Sequence, residues 1–253
     1  MADTPWQIAN NSAKLAPIPY QRKNPMIIVH HLNNSRSQRI LWLLEELGLD
    51  YEIKKYERNA KTMLAPPELK AVHPLGKSPV ITDGDLTIAE SAAILEYVID
   101  TFGGQAPAQF GSLRPAAATE AHRQYNYWMH YAEGSLMPSL VMKLIFTTIP
   151  TQPMPFFVRP IARQLCAKVQ SSFIDPGIAT QLQVIDDHLS RNAWFTGEHI
   201  SLADFQMSFP VAAALARGDG AKNFKHMAAY ARKIEARPAY QRALAKGGPV
   251  VMG

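Results

Sequence analysis

The stretch Met26-Ile-Ile-Val-His30, the turn pair Asn33-Asn34, the spaced residues Ile40, Leu41, Leu43, Leu44 and Leu47, and the run Tyr51-Glu-Ile-Lys-Lys-Tyr56 together decide the fold. Met26 to His30 is a short apolar run between Pro25 and Asn33, so it reads as a buried strand that ends in a turn. From about Ser35 the apolar residues recur at helical spacing, and Gly48 stands where a left-handed helix stop belongs. Tyr51 to Tyr56 reads as a second strand. Strand, helix and strand within about thirty residues is the parallel βαβ unit, whose crossover is right-handed in nearly all folds.

Downstream, Pro67 to Val72 predicts a short helix. The runs Ser78 to Thr82 and Leu86 to Ile88 flank Asp83-Gly84-Asp85, a hairpin signal that makes these strands antiparallel. Glu90-Ser91 opens a helix in which Ile94, Leu95, Val98, Ile99 and Phe102 form one apolar stripe. This order is that of an α/β thioredoxin-like domain, assigned to residues 26–103. Residues 104–115, rich in Gly, Pro, Ala and Gln without an apolar period, are expected to be a linker. Residues 116–253 read as an all-α domain, with segments near Ala116 to Leu136, Val158 to Ser172, Thr180 to Arg191, Ser201 to Ala216 and Phe224 to Arg237. Residues 1–25, interrupted by Pro5, Pro17, Pro19 and Pro25, read as an extended arm rather than a targeting peptide.

Composition narrows the function classes. The chain of 253 residues is 47% apolar and 19% charged, which suits a packed globular protein. Its net charge of +5 is scattered through the helical segments rather than gathered into a block, so a nucleic-acid partner is not expected. The most apolar late stretch, Leu144 to Val158, is shorter than the roughly 20 residues of a membrane span and is broken by Pro150, Pro153 and Pro155. The single cysteine, Cys166, can form neither an internal disulfide nor a CxxC pair, which points to a reducing, cytoplasmic setting and to no metal site.

Several motifs carry chemistry. In His73-Pro-Leu-Gly-Lys77-Ser78-Pro79-Val80 a loop becomes a strand through a proline. That is either a plain turn or a place where Ser78 keeps its own N–H and C=O free to pair with an extended peptide. Glu90-Ser91 places a carboxylate, able to hold an ammonium, beside a hydroxyl at a helix start, where free N–H groups hold a carboxylate. The pair matches an α-amino acid head group, and Ser91 alone also reads as an N-cap. Ser201-Leu-Ala-Asp204 is a capping box, with Ile200 and Phe205 as its hydrophobic staple, and its role is folding.

These motifs, in this order, resemble the soluble glutathione transferase family. The matching residues are Ser35-Arg36-Ser37-Gln38-Arg39, Pro74-Leu-Gly-Lys-Ser-Pro79, Ala89-Glu90-Ser91 and Ser201-Leu-Ala-Asp204-Phe205, and the likeness is greatest to bacterial and fungal members with a serine-rich first turn. The resemblance implies a homodimeric enzyme with glutathione as co-substrate and a small hydrophobic electrophile as partner, with peroxide reduction as a side activity. It implies a cis bond at Pro79, pairing of the Ser78 backbone with the cysteinyl part of glutathione, contacts from Glu90 and Ser91 to the γ-glutamyl end, and Lys77 near the glycyl end. A thiol of free pKa about 8.5 must become a thiolate, and a hydroxyl, a helix N-terminus or a cation favours that form. Ser35 is the first choice for this role, with Asn34, Arg36 and Ser37 as alternatives, and the serines also read as plain helix caps. Tyr127, His130 and Tyr131 are candidates to face the second substrate. The same scaffold also serves as a non-catalytic binding module or a glutathione-dependent disulfide reductase.

Overall fold

A computed structural model describes residues 26–60, 62–103, 113–216 and 223–249. The arm expected at 1–25 and the linker positions 104–112 lie outside the described residues.

The βαβ stretch folds as β1 (Ile27–Leu32), α1 (Gln38–Leu47) and β2 (Tyr51–Tyr56), with β1 and β2 parallel and Ile27 opposite Tyr51. After α2 (Pro67–Val72) come β3 (Val80–Asp83) and β4 (Leu86–Ala89), antiparallel to each other, with Gly84 at φ 58° in the turn between them. β3 also runs antiparallel to β1, which gives a four-stranded sheet in the order β2-β1-β3-β4. α3 (Ser91–Phe102) closes this part of the chain, and its stripe is visible in the burial of Ile94, Leu95 and Val98.

Helices make up the rest. α4 (Glu120–Tyr131) passes through a wide π turn, Ala132–Leu136, straight into α5 (Met137–Thr148). α6 (Arg159–Val169) does the same through Gln170–Ile174 into α7 (Asp175–Leu189). The sequence separated Val158–Ser172 from Thr180–Arg191, whereas the chain runs them as one rod, with Pro176 standing just after the wide π turn Gln170–Ile174. The chain continues with α8 (Leu202–Leu215), α9 (Lys225–Glu235) and α10 (Pro238–Gly247). Neither α5 nor α10 was among the helical segments read from sequence. None of the described helices is long and apolar enough to cross a membrane.

α1 sits in the middle. All ten of its residues are buried, because the sheet covers one side and α8 and α10 the other. Trp42 packs against Phe205 of α8 with the rings tilted and 4.1 Å between centroids, and meets Tyr240 edge-on. At its C-terminal end, Glu45 accepts from Arg242 at 2.7 Å and Lys246 at 2.5 Å, and Glu46 pairs with Arg237. These partners bolt α10 to α1. Gly247, the last residue of α10, is small by necessity: a Cβ there would come within 2.6 Å of Leu41 and 3.2 Å of the His31 ring. The start of α1 is thereby fixed from both halves of the chain.

Candidate functional site

Beyond β1 the antiparallel register would set Leu32 opposite Ser78, but Pro79 has no N–H to give to a ladder. The Ser78 hydroxyl takes over instead: it donates to the His30 carbonyl at 2.9 Å and accepts from the Leu32 N–H at 3.2 Å. The Ser78–Pro79 bond is cis. Gly76, at φ 56°, makes the turn that leads into it.

A cleft of about 240 Å³ opens over this loop, lined by Arg36, His73, Leu75, Lys77, Ser78, Pro79, Ala89, Glu90, Ser91 and Glu133. The residues proposed from sequence for glutathione, namely Lys77, Ser78, Pro79, Glu90 and Ser91, therefore share one cavity. Glu90 is exposed and stands at the N-cap of α3 with φ 72° and ψ 126°, a left-handed backbone that a non-glycine residue holds at a cost. Ser91 follows as the first helical residue and is buried. The N-cap suggested for Ser91 is thus occupied by Glu90, whose side chain makes no capping bond, so the first turn of α3, whose Glu90 and Ser91 line the cleft, has no side-chain cap.

The first-turn candidates separate. Arg36 alone of the four lines the cleft. Ser35 is buried, with its hydroxyl 2.7 Å from that of Ser37 and 3.4 Å from that of Ser78, the cleft-lining serine. Ser37 is fully buried and its hydroxyl lies 2.8 Å from Nδ1 of His31. Asn34 turns the chain at φ 50° and its carbonyl accepts from Arg58 at 3.4 Å. The hydrogen positions follow from His31. Its Nε2 lies 2.9 Å from the Gly247 carbonyl, which can only accept, so neutral His31 carries its proton there and Nδ1 accepts from Ser37. Burial is the main cause of the lowered His31 pKa, with Lys55 adding to it and the Gly247 bond opposing, so the neutral form is favoured. Ser35 then donates to Ser37, or turns away from it at the cost of one neutral hydrogen bond, about 1 kcal/mol.

The opposite wall is a charge cluster. Glu133, in the π turn after α4, accepts through one oxygen from Arg36 Nε and Arg39 Nη1, both at 2.8 Å. Burial pushes its carboxyl up, but the two guanidiniums outweigh this and hold it below the usual carboxylate range. Arg39 is fully buried, and burial draws its pKa down to about 10 against the support of Glu133. Glu133, His73 and Leu75 were not assigned from sequence. His73 and Leu75 lay inside the quoted motif. Glu133 carries no local signal, since its partners are 94 and 97 residues away.

Tyr127, His130 and Tyr131 come together, but in a different hollow, of about 390 Å³, with Asn126, Gly134 and Ser135. None of the three lines the cleft, although Glu133 of the same helical stretch does. Burial, with Tyr127 adding to it, raises the Tyr131 hydroxyl to about 12. Tyr127 is half exposed and stacks on Tyr131 at 5.4 Å.

Comparison with known proteins bears on the whole chain. Residues 24–100 match the glutathione S-transferase N-terminal domain and residues 173–238 the glutathione S-transferase C-terminal domain. The chain is 38% identical to glutathione S-transferase 3 of Schizosaccharomyces pombe, covering 87% of this chain and 88% of that protein. It is 34% identical to glutathione S-transferase 1 of Saccharomyces cerevisiae, covering 76% and 82% respectively. Among solved structures, a glutathione S-transferase from Actinobacillus pleuropneumoniae superposes with a TM-score of 0.72 at 32% identity, covering 90% of this chain and 95% of that one. The thioredoxin-like sheet, the helical second half and both domain matches agree, and the chain belongs to the glutathione S-transferase family as a transferase enzyme.

Proposed function

We propose that the cleft binds glutathione in an extended pose and that its thiolate attacks a hydrophobic electrophile or a peroxide. The observation that carries this reading is the convergence of Glu90, Ser91, Ser78, Pro79 and Arg36 on one cavity. Glu90 takes the γ-glutamyl ammonium, and Ser91 with the free N–H groups of α3 takes its carboxylate. The Ser78 backbone pairs with the cysteinyl part and Lys77 meets the glycyl carboxylate. Residues 26–103 are the glutathione-binding half, 104–115 the linker, and 116–253 the half that faces the second substrate, with Tyr127, His130 and Tyr131 beyond Glu133.

Two groups favour the thiolate. Arg36 brings positive charge to the cleft, and Ser35, next to Ser78, donates its hydroxyl once it turns from Ser37. The exchange is favourable, because a hydrogen bond to a charged acceptor contributes about 1.5–3 kcal/mol against about 1 for the neutral one given up. The thiol proton leaves to solvent, and the sulfur forms its bond to the electrophilic carbon as the leaving group departs. A disulfide reductase would use a cysteine in the first turn, where this chain has Ser35-Arg36-Ser37, and Cys166 is buried in α6. Nothing favours a non-catalytic scaffold.

We place this enzyme in the cytoplasm as a detoxifying homodimer. Exposed Leu144, Ile145, Ile149, Phe156, Phe157 and Ile161 give a partner apolar surface to cover. Light scattering is expected to give twice the 28.1 kDa mass, and a monomer at micromolar concentration would remove the dimer. The central experiment titrates enzyme-bound glutathione by thiolate absorbance. Ser35→Ala and Arg36→Ala are each expected to raise the bound thiol's pKa by about 1–2 units with little loss of affinity. If neither moves it, the thiolate is held by backbone N–H groups alone and this assignment fails.

A further inference from the structure

His31 and Ser37 are both buried and neither lines the glutathione cleft, yet they form the inner end of a hydroxyl chain whose outer end stands beside it. Ser37 Oγ lies 2.8 Å from His31 Nδ1 and 2.7 Å from Ser35 Oγ, which is 3.4 Å from the hydroxyl of the cleft-lining Ser78. Ser78 gives its own proton to the His30 carbonyl, so toward Ser35 it only accepts. The direction of the chain is therefore set at its inner end. Neutral His31 donates through Nε2 to the Gly247 carbonyl and accepts at Nδ1, so Ser37 donates inward and the Ser35 proton follows it. Both serine protons then point away from the cleft.

A proton on Nδ1 reverses the chain. His31 then donates to Ser37 and Ser37 to Ser35, which leaves the Ser35 proton for a sulfur in the cleft without giving up a bond. Nε2 keeps its bond to Gly247 in both states, so the ring stays where it is. What the ring lacks is a counter-charge. β2 sets Lys55 opposite His31, α1 presents Ser37 and the neutral Gln38, α10 presents the Gly247 carbonyl, and among the described residues no carboxylate is its hydrogen-bond partner. Burial and Lys55 hold the ring neutral in the free enzyme, and the anion that balances its charge is a thiolate at the outer end of the serine chain. We infer that His31 is a positioning residue for the bound thiolate: it takes up a proton at Nδ1 as the glutathione thiol loses its own, and so turns the Ser37 and Ser35 hydroxyls toward the sulfur. The thiol proton goes to solvent and an equal one enters at His31, so the two titrations are linked, each favouring the other. This rests on glutathione occupying the cleft and adds to that reading a residue two hydroxyls away from the sulfur.

The test counts protons on the full chain near neutral pH. Calorimetry in buffers of different ionisation heat gives the protons released when glutathione binds, and ultraviolet absorbance gives the thiolate formed. S-methylglutathione, which has no thiol proton, supplies the value to subtract for every other group. The difference is expected at about half a proton or less per thiolate, because His31 takes up the balance. One full proton per thiolate overturns the inference, and this count needs no variant. Nitrogen NMR of the imidazoles should show His31 titrating about 1–2 units higher with glutathione than with S-methylglutathione, and equal values would overturn it as well. His31→Gln keeps a donor for the Gly247 carbonyl but has no ring nitrogen to protonate. It is expected to release one proton per thiolate and to raise the bound thiol's pKa by about 1 unit, whereas a purely structural His31 would leave the proton count where it was. A natural chain that fails to bind glutathione or to form thiolate removes the glutathione reading and this inference with it. A full proton beside a normal thiolate removes the role of His31 alone.

Discussion

Asp204 and Arg39 are both charged and both without solvent exposure, yet their surroundings are opposite. Every oxygen of Asp204 is used: Oδ2 accepts from the Ser201 N–H at 2.8 Å and its hydroxyl at 3.2 Å, and Oδ1 from the Phe195 N–H at 2.9 Å and the Tyr230 hydroxyl at 3.2 Å. Arg39 spends one nitrogen on Glu133 and leaves two without partners among the described residues. The first is a folding hub, where satisfied polar groups fix one arrangement of α8, α9 and the loop before them. The second leaves two nitrogens unpaired among the described residues and shares its one carboxylate, Glu133, with Arg36.

The largest expected effect comes from breaking the satisfied side. Asp204→Ala strands the Ser201 and Phe195 N–H groups and leaves the Tyr230 hydroxyl only the Asp204 main-chain carbonyl at 3.3 Å, and is expected to cost about 4 kcal/mol, or about 8–16 °C in thermal midpoint. A loss below about 1 kcal/mol by thermal unfolding would mean that water replaces the carboxylate and that the hub is not one. Burial raises Asp204 to about 6 from 3.8, against the hydrogen bonds that lower it. The native state thus binds a proton more readily than the unfolded one between these values. Its contribution is complete below pH 4 and is lost as pH rises through 6, by at most about 3 kcal/mol. The stability of the natural protein relative to Asp204→Asn should therefore grow on acidification from pH 7 to 4.

The glutathione cleft lies between these extremes. Glu90 is exposed, so Glu90→Ala is expected to leave the unfolding midpoint within about 0.5 kcal/mol of the natural protein. It should weaken glutathione binding by about 10- to 100-fold, because the ammonium loses its charged acceptor. Equal affinity in calorimetry would remove Glu90 from the clamp. A large loss of stability would instead make it a structural cap.

The same contrast explains what could be read from the sequence. The capping box is legible because Ser201 and Asp204 are three residues apart and their geometry is that of one helical turn. The βαβ unit is legible because β1, α1 and β2 each carry their own period. Ser91 was half legible: the helix start was plain, but the cap falls on Glu90 because the backbone turns left-handed there, and side-chain propensity does not report that. α5 was hidden by Pro138, which stands just after the wide π turn Ala132–Leu136 that leads into it, and α10 by the Gly-rich end beyond it. The Arg36–Glu133–Arg39 cluster had no signal at all, since it exists only once α1 and the π turn after α4 are packed together. The burial of Ser35 and Ser37 behind the cleft wall depends likewise on His31 and Gly247, 216 residues apart.

The smallest expected effect tests the imperfect side. Glu133 is held below the usual carboxylate range, because Arg39 and Arg36 outweigh the burial that would raise it. The unfolded chain therefore takes up a proton at this carboxyl before the native protein does, and the stabilisation it gives is complete above about pH 5 and fades as pH falls through the lowered native value. This sign is opposite to that of Asp204. Glu133→Gln keeps the shape and one acceptor but removes the charge that both guanidiniums share. With the side chain 34% exposed and screened by water, its cost at pH 7 is set at about 1 kcal/mol. Urea unfolding of both proteins should give that difference at pH 7 and a smaller one as the pH falls into the acid range, while the bound thiol's titration moves down, because Arg36 then faces the cleft without its counter-charge. A difference independent of pH would assign Glu133 to packing. A bound thiol that titrates unchanged would separate the cluster from the sulfur and leave Arg36 as a wall of the cleft only.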